Sequence, residues 1–155
     1  MPPMRATTLT ALADTIGRGL VAGFAGTAAM TVSSTLEMKL RGRAASTAPA
    51  DATAKVLGIE RFRDDAAKAR FSNLVHWGYG SAWGVVHGLF RLAGLPPAKA
   101  TAAHLAAVWG NEAVMLPVLG VAPPFWTWGV EEVAIDVWHH VVYATATAVA
   151  YEQLS

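Results

Sequence analysis

The chain contains no cysteine. That excludes a disulfide framework, a thiolate metal site and a thiol nucleophile, and it leaves the redox compartment unmarked. Charge is scarce as well. Only 15% of the 155 residues are Asp, Glu, Lys or Arg, against about 25% in an ordinary soluble domain. Neither sign is in excess, since the formal net charge is +1, so no basic surface for nucleic acid is expected. The glycine-rich "GYGSAWG" lies inside an apolar stretch rather than between a strand and a helix, so it is not a dinucleotide fingerprint. There is no G-x-S-x-G elbow and no nucleophile with an evident base. These absences favour a non-enzymatic role without settling it, no organic cofactor is expected, and the length suits one domain.

What is present is apolar and unevenly distributed. Hydrophobic residues make up 54% of the chain, and the mean hydropathy is +0.35. No charge occurs from Gly19 to Leu36 or from Phe71 to Phe90; Glu112 is the only one from Ala100 to Val130, and Asp136 the only one from Val133 to Tyr151. A helix needs roughly 20 residues to cross the hydrocarbon of a bilayer. The windows therefore predict an all-α, four-helix integral membrane bundle, with helices near 17–38, 72–93, 101–120 and 131–152. Arg18 followed by "GLVAGFAGTAA" imitates a secretory signal. However, the apolar run continues to Leu36 without a clear cleavage site, so residues 1–16 read as a partly helical lead-in and 17–152 as a single transmembrane domain.

Within the windows, small and polar residues recur at helical spacing. Gly19, Gly23 and Gly26 share one face of the first helix with Met30, Ser33 and Glu37, and Gly80 and Gly84 form a second small-residue pair. Such stripes let helices approach closely in lipid. Trp126 and Trp128 suit an interfacial belt, and Pro117 is expected to bend or end the third helix. The connection 41–71 is rich in basic residues. From Ala54 on, its Leu57, Ile59, Phe62 and Phe71 alternate with charges in the manner of a surface helix. Lys39, Arg41, Arg43, Lys55, Arg61, Arg63, Lys68 and Arg70 outnumber Arg5, Arg18, Arg91 and Lys99 on the opposite side, which places this loop in the cytoplasm.

The segments "HWGYGSAWG" from His76 and "HVVYATATA" from His140 both fit H-x-x-Y-[GA]-x-x-x-[GA]. They suggest two repeated helical hairpins. Taken together, "GLVAGFAGTAAM", its polar exit "LEMKLRGR", "HWGYGSAWG" and the closing "HHVVYATA" resemble the YagU-like family of small bacterial inner-membrane proteins of unknown function. The resemblance spans roughly residues 17–150. It implies a four-helix inner-membrane protein loosely associated with acid tolerance, and it brings no established reaction. Alanine at Ala144 and Ala148 departs from the glycine pattern and weakens the repeat in the second half.

Ionisable groups inside a membrane cost several kcal/mol and persist when they face protein or water. All five histidines fall within or beside the windows. The candidate polar centre comprises Glu37, His76, Tyr79, Glu112, Asp136, His139, His140 and Tyr143. Glu131 and Glu132 sit at the start of the fourth helix, and His87 and His104 are placed toward the bundle edges. Three readings follow. The first is a hydrogen-bonded network that fixes packing in a protein whose partners are the lipid bilayer and another subunit or a second copy. The second is a line of groups that pass protons or a small solute. The third is a metal-binding membrane enzyme whose ion is held by Glu132, Asp136 and His139, because imidazole with carboxylate suits zinc, iron or manganese.

Overall fold

The computed structural model describes residues 4–155. Those residues form five α-helices, a single 3-10 turn at Phe125–Thr127 and no strand. The helices are α1 (Met4–Arg41), α2 (Ala48–Val56), α3 (Asp65–Leu92), α4 (Pro97–Val118) and α5 (Val130–Gln153). The four expected spans fall on α1, α3, α4 and α5. The lead-in is not a separate element, because α1 runs unbroken from Met4 into the first span.

The helix ends follow local chemistry. Leu95 N–H bonds to Phe90 O and Gly94 N–H to Arg91 O; Val121 pairs with Leu116 and Gly120 with Pro117 in the same way. Gly94 and Gly120 take positive φ in these paired-bond turns, which a side chain would oppose. Pro117 lies one residue before the end of α4, so it terminates this helix rather than kinking it. The surface helix expected from Ala54 lies earlier, at Ala48–Val56. Pro49 in its first turn favours that start, and Ile59 N–H closes its end on Ala54 O.

The charged run after that helix divides at Asp64: Glu60, Arg61 and Arg63 lie in the connection, and Asp65, Lys68 and Arg70 in the first turns of α3. Asp64 caps it, accepting a 2.6 Å hydrogen bond from Ala67 N–H. That bond, with Arg63 alongside, holds the Asp64 carboxyl below its ordinary value of 3.8. A lowered folded pKa stabilises above the unfolded value and is lost as pH falls through the folded one. Asp64→Ala should therefore speed amide hydrogen exchange in the first turn of α3 at neutral pH. The difference from wild type should vanish once acid protonates Asp64.

Helix α1 packs along both α3 and α5, and α4 closes the opposite side against the same two helices. Contacts such as Gly19 to Gly84 and Gly26 to Tyr143 make neighbouring helices antiparallel. On α1, the buried face is Thr15, Gly19, Ala22, Gly23, Gly26 and Thr27. These small residues bring backbones together. A Cβ on Gly23 would lie 2.5 Å from Ser81 O, and one on Gly19 would lie 2.6 Å from Val85 Cα. Gly80 is filled from the other side by Thr27, and Gly26 by Thr147 and Tyr143.

Among the described residues, the interior combines small apolar residues, with Val75, Val108, Leu116, Tyr143 and Tyr151, and seven buried polar residues. The largest fully buried side chains are His87, His104 and Thr147, all polar. Phe24, Val32, Leu36, Leu74, Val114, Val118, Trp138 and Val149 are each more than half exposed. By length and composition, α1 is the one helix among the described residues that is apolar enough to cross a membrane, over Thr8–Arg41.

Candidate functional site

The expected polar centre separates into four places along the bundle. At the end formed by the α1 C-terminus and the α5 N-terminus, Glu37 accepts hydrogen bonds from Arg43 Nε at 2.8 Å and Arg41 Nη1 at 3.2 Å. Arg41 also bridges to Glu132 and Glu131 on α5. His139 enters this cluster: its Nδ1 is 2.9 Å from Ser33 Oγ, and its Nε2 is 3.7 Å from Glu37 Oε2. Glu132 and His139 thus belong to an ion-pair cluster with arginines. They do not join Asp136 as metal ligands, because a residue one turn away on a helix is still aimed by whichever neighbouring helix it meets.

One turn deeper, Thr31 Oγ1 donates to Thr27 O at 2.7 Å and lies 2.8 Å from His76 Nε2. Since the hydroxyl has a single proton, His76 is the donor in the second contact. The two tyrosines of the repeated motif have different partners. Tyr79 OH accepts from Asn111 Nδ2 at 2.8 Å. Tyr143 OH donates to Gly80 O at 2.6 Å, a carbonyl that the missing side chain of Gly80 leaves open.

The third place joins α4 to α5. His140 is buried, and its Nδ1 lies 2.9 Å from the Asp136 backbone carbonyl. A carbonyl can only accept, so Nδ1 carries the proton. The other ring nitrogen, Nε2, is 2.8 Å from Glu112 Oε2. Asp136 Oδ2 accepts from Trp109 Nε1 at 2.8 Å. One ligand atom from each of Glu112, Asp136 and His140 lies within 4.8 Å of the others. Among the described residues, no lysine or arginine pairs with either carboxylate.

The fourth place lies toward the other end of the bundle. His87 and His104, expected near the edges, are fully buried there, with ring centroids 5.3 Å apart. Tyr151 packs on His87 at 5.4 Å, and Tyr143 on His104 at 5.4 Å. Among the described residues, no ring nitrogen of this pair makes a hydrogen bond of good geometry. Spacing on α3 and α4 put both histidines on inward faces, and that signal outranks their distance from the window centres. Beyond them Arg91 Nε donates to Glu152 at 2.7 Å and closes this end.

The four places differ in chemistry. The first is charge-neutralised by arginines, the second is a neutral hydrogen-bond chain, and the fourth is an aromatic stack. Only the third gathers two carboxylates and an imidazole without a basic side chain. Comparison with protein-family models finds no match for this chain, and comparisons with the curated proteins and with the solved structures find none either.

Proposed function

We propose that the chain is a multi-pass protein of the bacterial inner membrane, crossing four times with α1, α3, α4 and α5. It acts as a non-enzymatic component that holds a partner subunit or a second copy. The observation that supports this reading is the burial of polar groups beside an apolar exterior: His87, His104 and Thr147 are fully enclosed, while Phe24, Val32, Trp138 and Val118 face outward. In water that arrangement exposes apolar surface and encloses polar groups, both at a cost. In hydrocarbon both terms reverse for the outer side chains, and interior polar groups hold helices together. The glycine stripes point the same way, since close backbone contact replaces the missing hydrophobic drive between helices. The resemblance to YagU-like proteins supports the same location. The excess of basic residues in 41–71 supports a cytoplasmic position for α2.

The outward face of α5, lined by Trp138, Val142, Thr145 and Val149, forms a shallow, almost wholly apolar groove of about 490 Å³. It is the surface this reading gives to lipid or to an adjoining helix. Alkaline carbonate washing of membranes from expressing cells tests the reading. The polypeptide is expected to stay in the pellet and to enter solution only with detergent; quantitative release by carbonate would reject the bilayer assignment.

A further inference from the structure

We propose that Glu112, Asp136 and His140 form a binding site for a single divalent first-row transition ion. The sequence offered Glu132, Asp136 and His139 for this role, and the fold replaces two of the three. Helix α4 supplies Glu112, and α5 supplies Asp136 and His140 one turn apart, so the ion would tie the two arms of a hairpin.

Three observations carry the inference. The first is spacing. Ligands held about 2.0–2.2 Å from a zinc-class ion must lie about 3.0–3.5 Å from one another by simple geometry. The contacts here run from 2.8 Å between His140 Nε2 and Glu112 Oε2 up to the 4.8 Å limit for the set, so side-chain rotations that draw the widest pair together by about 1.3 Å suffice.

The second is the support behind each ligand. His140 directs Nδ1–H at the Asp136 backbone carbonyl, so Nε2, which faces Glu112 at 2.8 Å, is the atom that would give up its proton to coordinate an ion. This is the usual way a protein orients a metal-bound imidazole. Trp109, from outside the set, anchors Asp136 Oδ2 through its indole N–H and so fixes the carboxylate beside His140.

The third is charge. Two carboxylates stand beside a buried imidazole, and among the described residues no lysine or arginine pairs with either. Arg41 and Arg43 at the adjoining end of the bundle are engaged by Glu132 and Glu37. A dication balances the two carboxylates with the imidazole neutral. One nitrogen and two carboxylates select the zinc, iron(II) and manganese class over the calcium class, which is bound through oxygen alone. The proposal does not depend on the bilayer, because the same three groups would bind an ion in detergent.

The test uses full-length protein in detergent, purified through a tag without histidine, washed with chelator and dialysed against Zn²⁺ or Mn²⁺ alone. Elemental analysis is expected to give one ion per chain. Asp136→Asn and Glu112→Gln, which preserve shape, should each weaken binding by at least tenfold, and Trp109→Phe by about tenfold. His139→Ala and Glu132→Gln should leave it unchanged. Far-ultraviolet circular dichroism confirms that each variant is folded, and the two isosteric variants decide the matter if His140→Ala does not fold. A wild-type chain that retains no ion, or binding equally strong in Asp136→Asn and Glu112→Gln, would overturn the proposal. Equal losses in His139→Ala would do the same.

Discussion

Gly84→Ala should separate α1 from α3. The added Cβ would lie 2.5 Å from both the Cα and the N of Gly23 and closer still to the carbonyl oxygen of Gly19. All three are backbone atoms, and none can rotate away. The helices must move apart, and the neighbouring contacts of Gly19, Gly23 and Gly80 loosen with them. Overpacking of this kind costs about 3 kcal/mol. The better helix propensity of alanine returns about 1 kcal/mol, so the net loss is about 2 kcal/mol. Gly78→Ala supplies the opposite sign. It lies on the same helix, exposed, with nothing within 4 Å of a new Cβ, so only the propensity gain of about 1 kcal/mol remains. Thermal unfolding in one detergent, followed by circular dichroism, measures both. If the two variants shift the midpoint in the same direction, close backbone packing is not what joins α1 to α3.

The second large effect is expected at His140. Replacing it with leucine leaves the Glu112 carboxylate facing the interior without its 2.8 Å partner. Loss of a hydrogen bond to a charged group costs about 1.5–3 kcal/mol. Glu112 keeps 26% of its side chain exposed, which places the cost toward the lower end of that range. Glu112→Leu in the same chain removes the orphaned charge and should recover most of the loss. The interaction energy from the double-mutant cycle should be about 1 kcal/mol. A cycle that sums to zero would mean that the pair contributes nothing to the α4–α5 contact.

These two sites also show what the sequence could and could not reveal. The glycine faces were legible because helical spacing alone sorts Gly19, Gly23 and Gly26 to one side, and the partner face at Gly80 and Gly84 follows the same rule. The long helices were legible from the charge-free windows. Their limits were less so. Nothing in the composition of residues 4–16 announces that they continue α1 without a break, and α2 is fixed by Pro49 and by the turn at Gly58 rather than by its apolar content.

The pairing of the polar groups was the least legible part. His139 and His140 are adjacent, so their side chains leave α5 about 100° apart. His139 meets Ser33 on α1, and His140 meets Glu112 on α4. Which one faces which helix depends on the rotation of α5 between its two neighbours, a tertiary quantity that no local pattern encodes. The same rotation directs Glu132 to Arg41 and away from Asp136. His87 and His104 were misplaced for a different reason: distance along a window is a poor guide to depth inside a bundle, whereas helical face is a good one.

The outward position of the leucines, valines and tryptophans has a thermodynamic consequence. Heat-capacity change on unfolding comes chiefly from apolar surface newly met by water. Here that surface already lies outside, and the enclosed groups are largely alanine, glycine, threonine and imidazole. Pulling the helices apart would uncover little hydrocarbon, so the stability curve should be nearly straight in temperature and show no marked optimum. Cooling, which weakens an oil-like core, would leave this one nearly untouched.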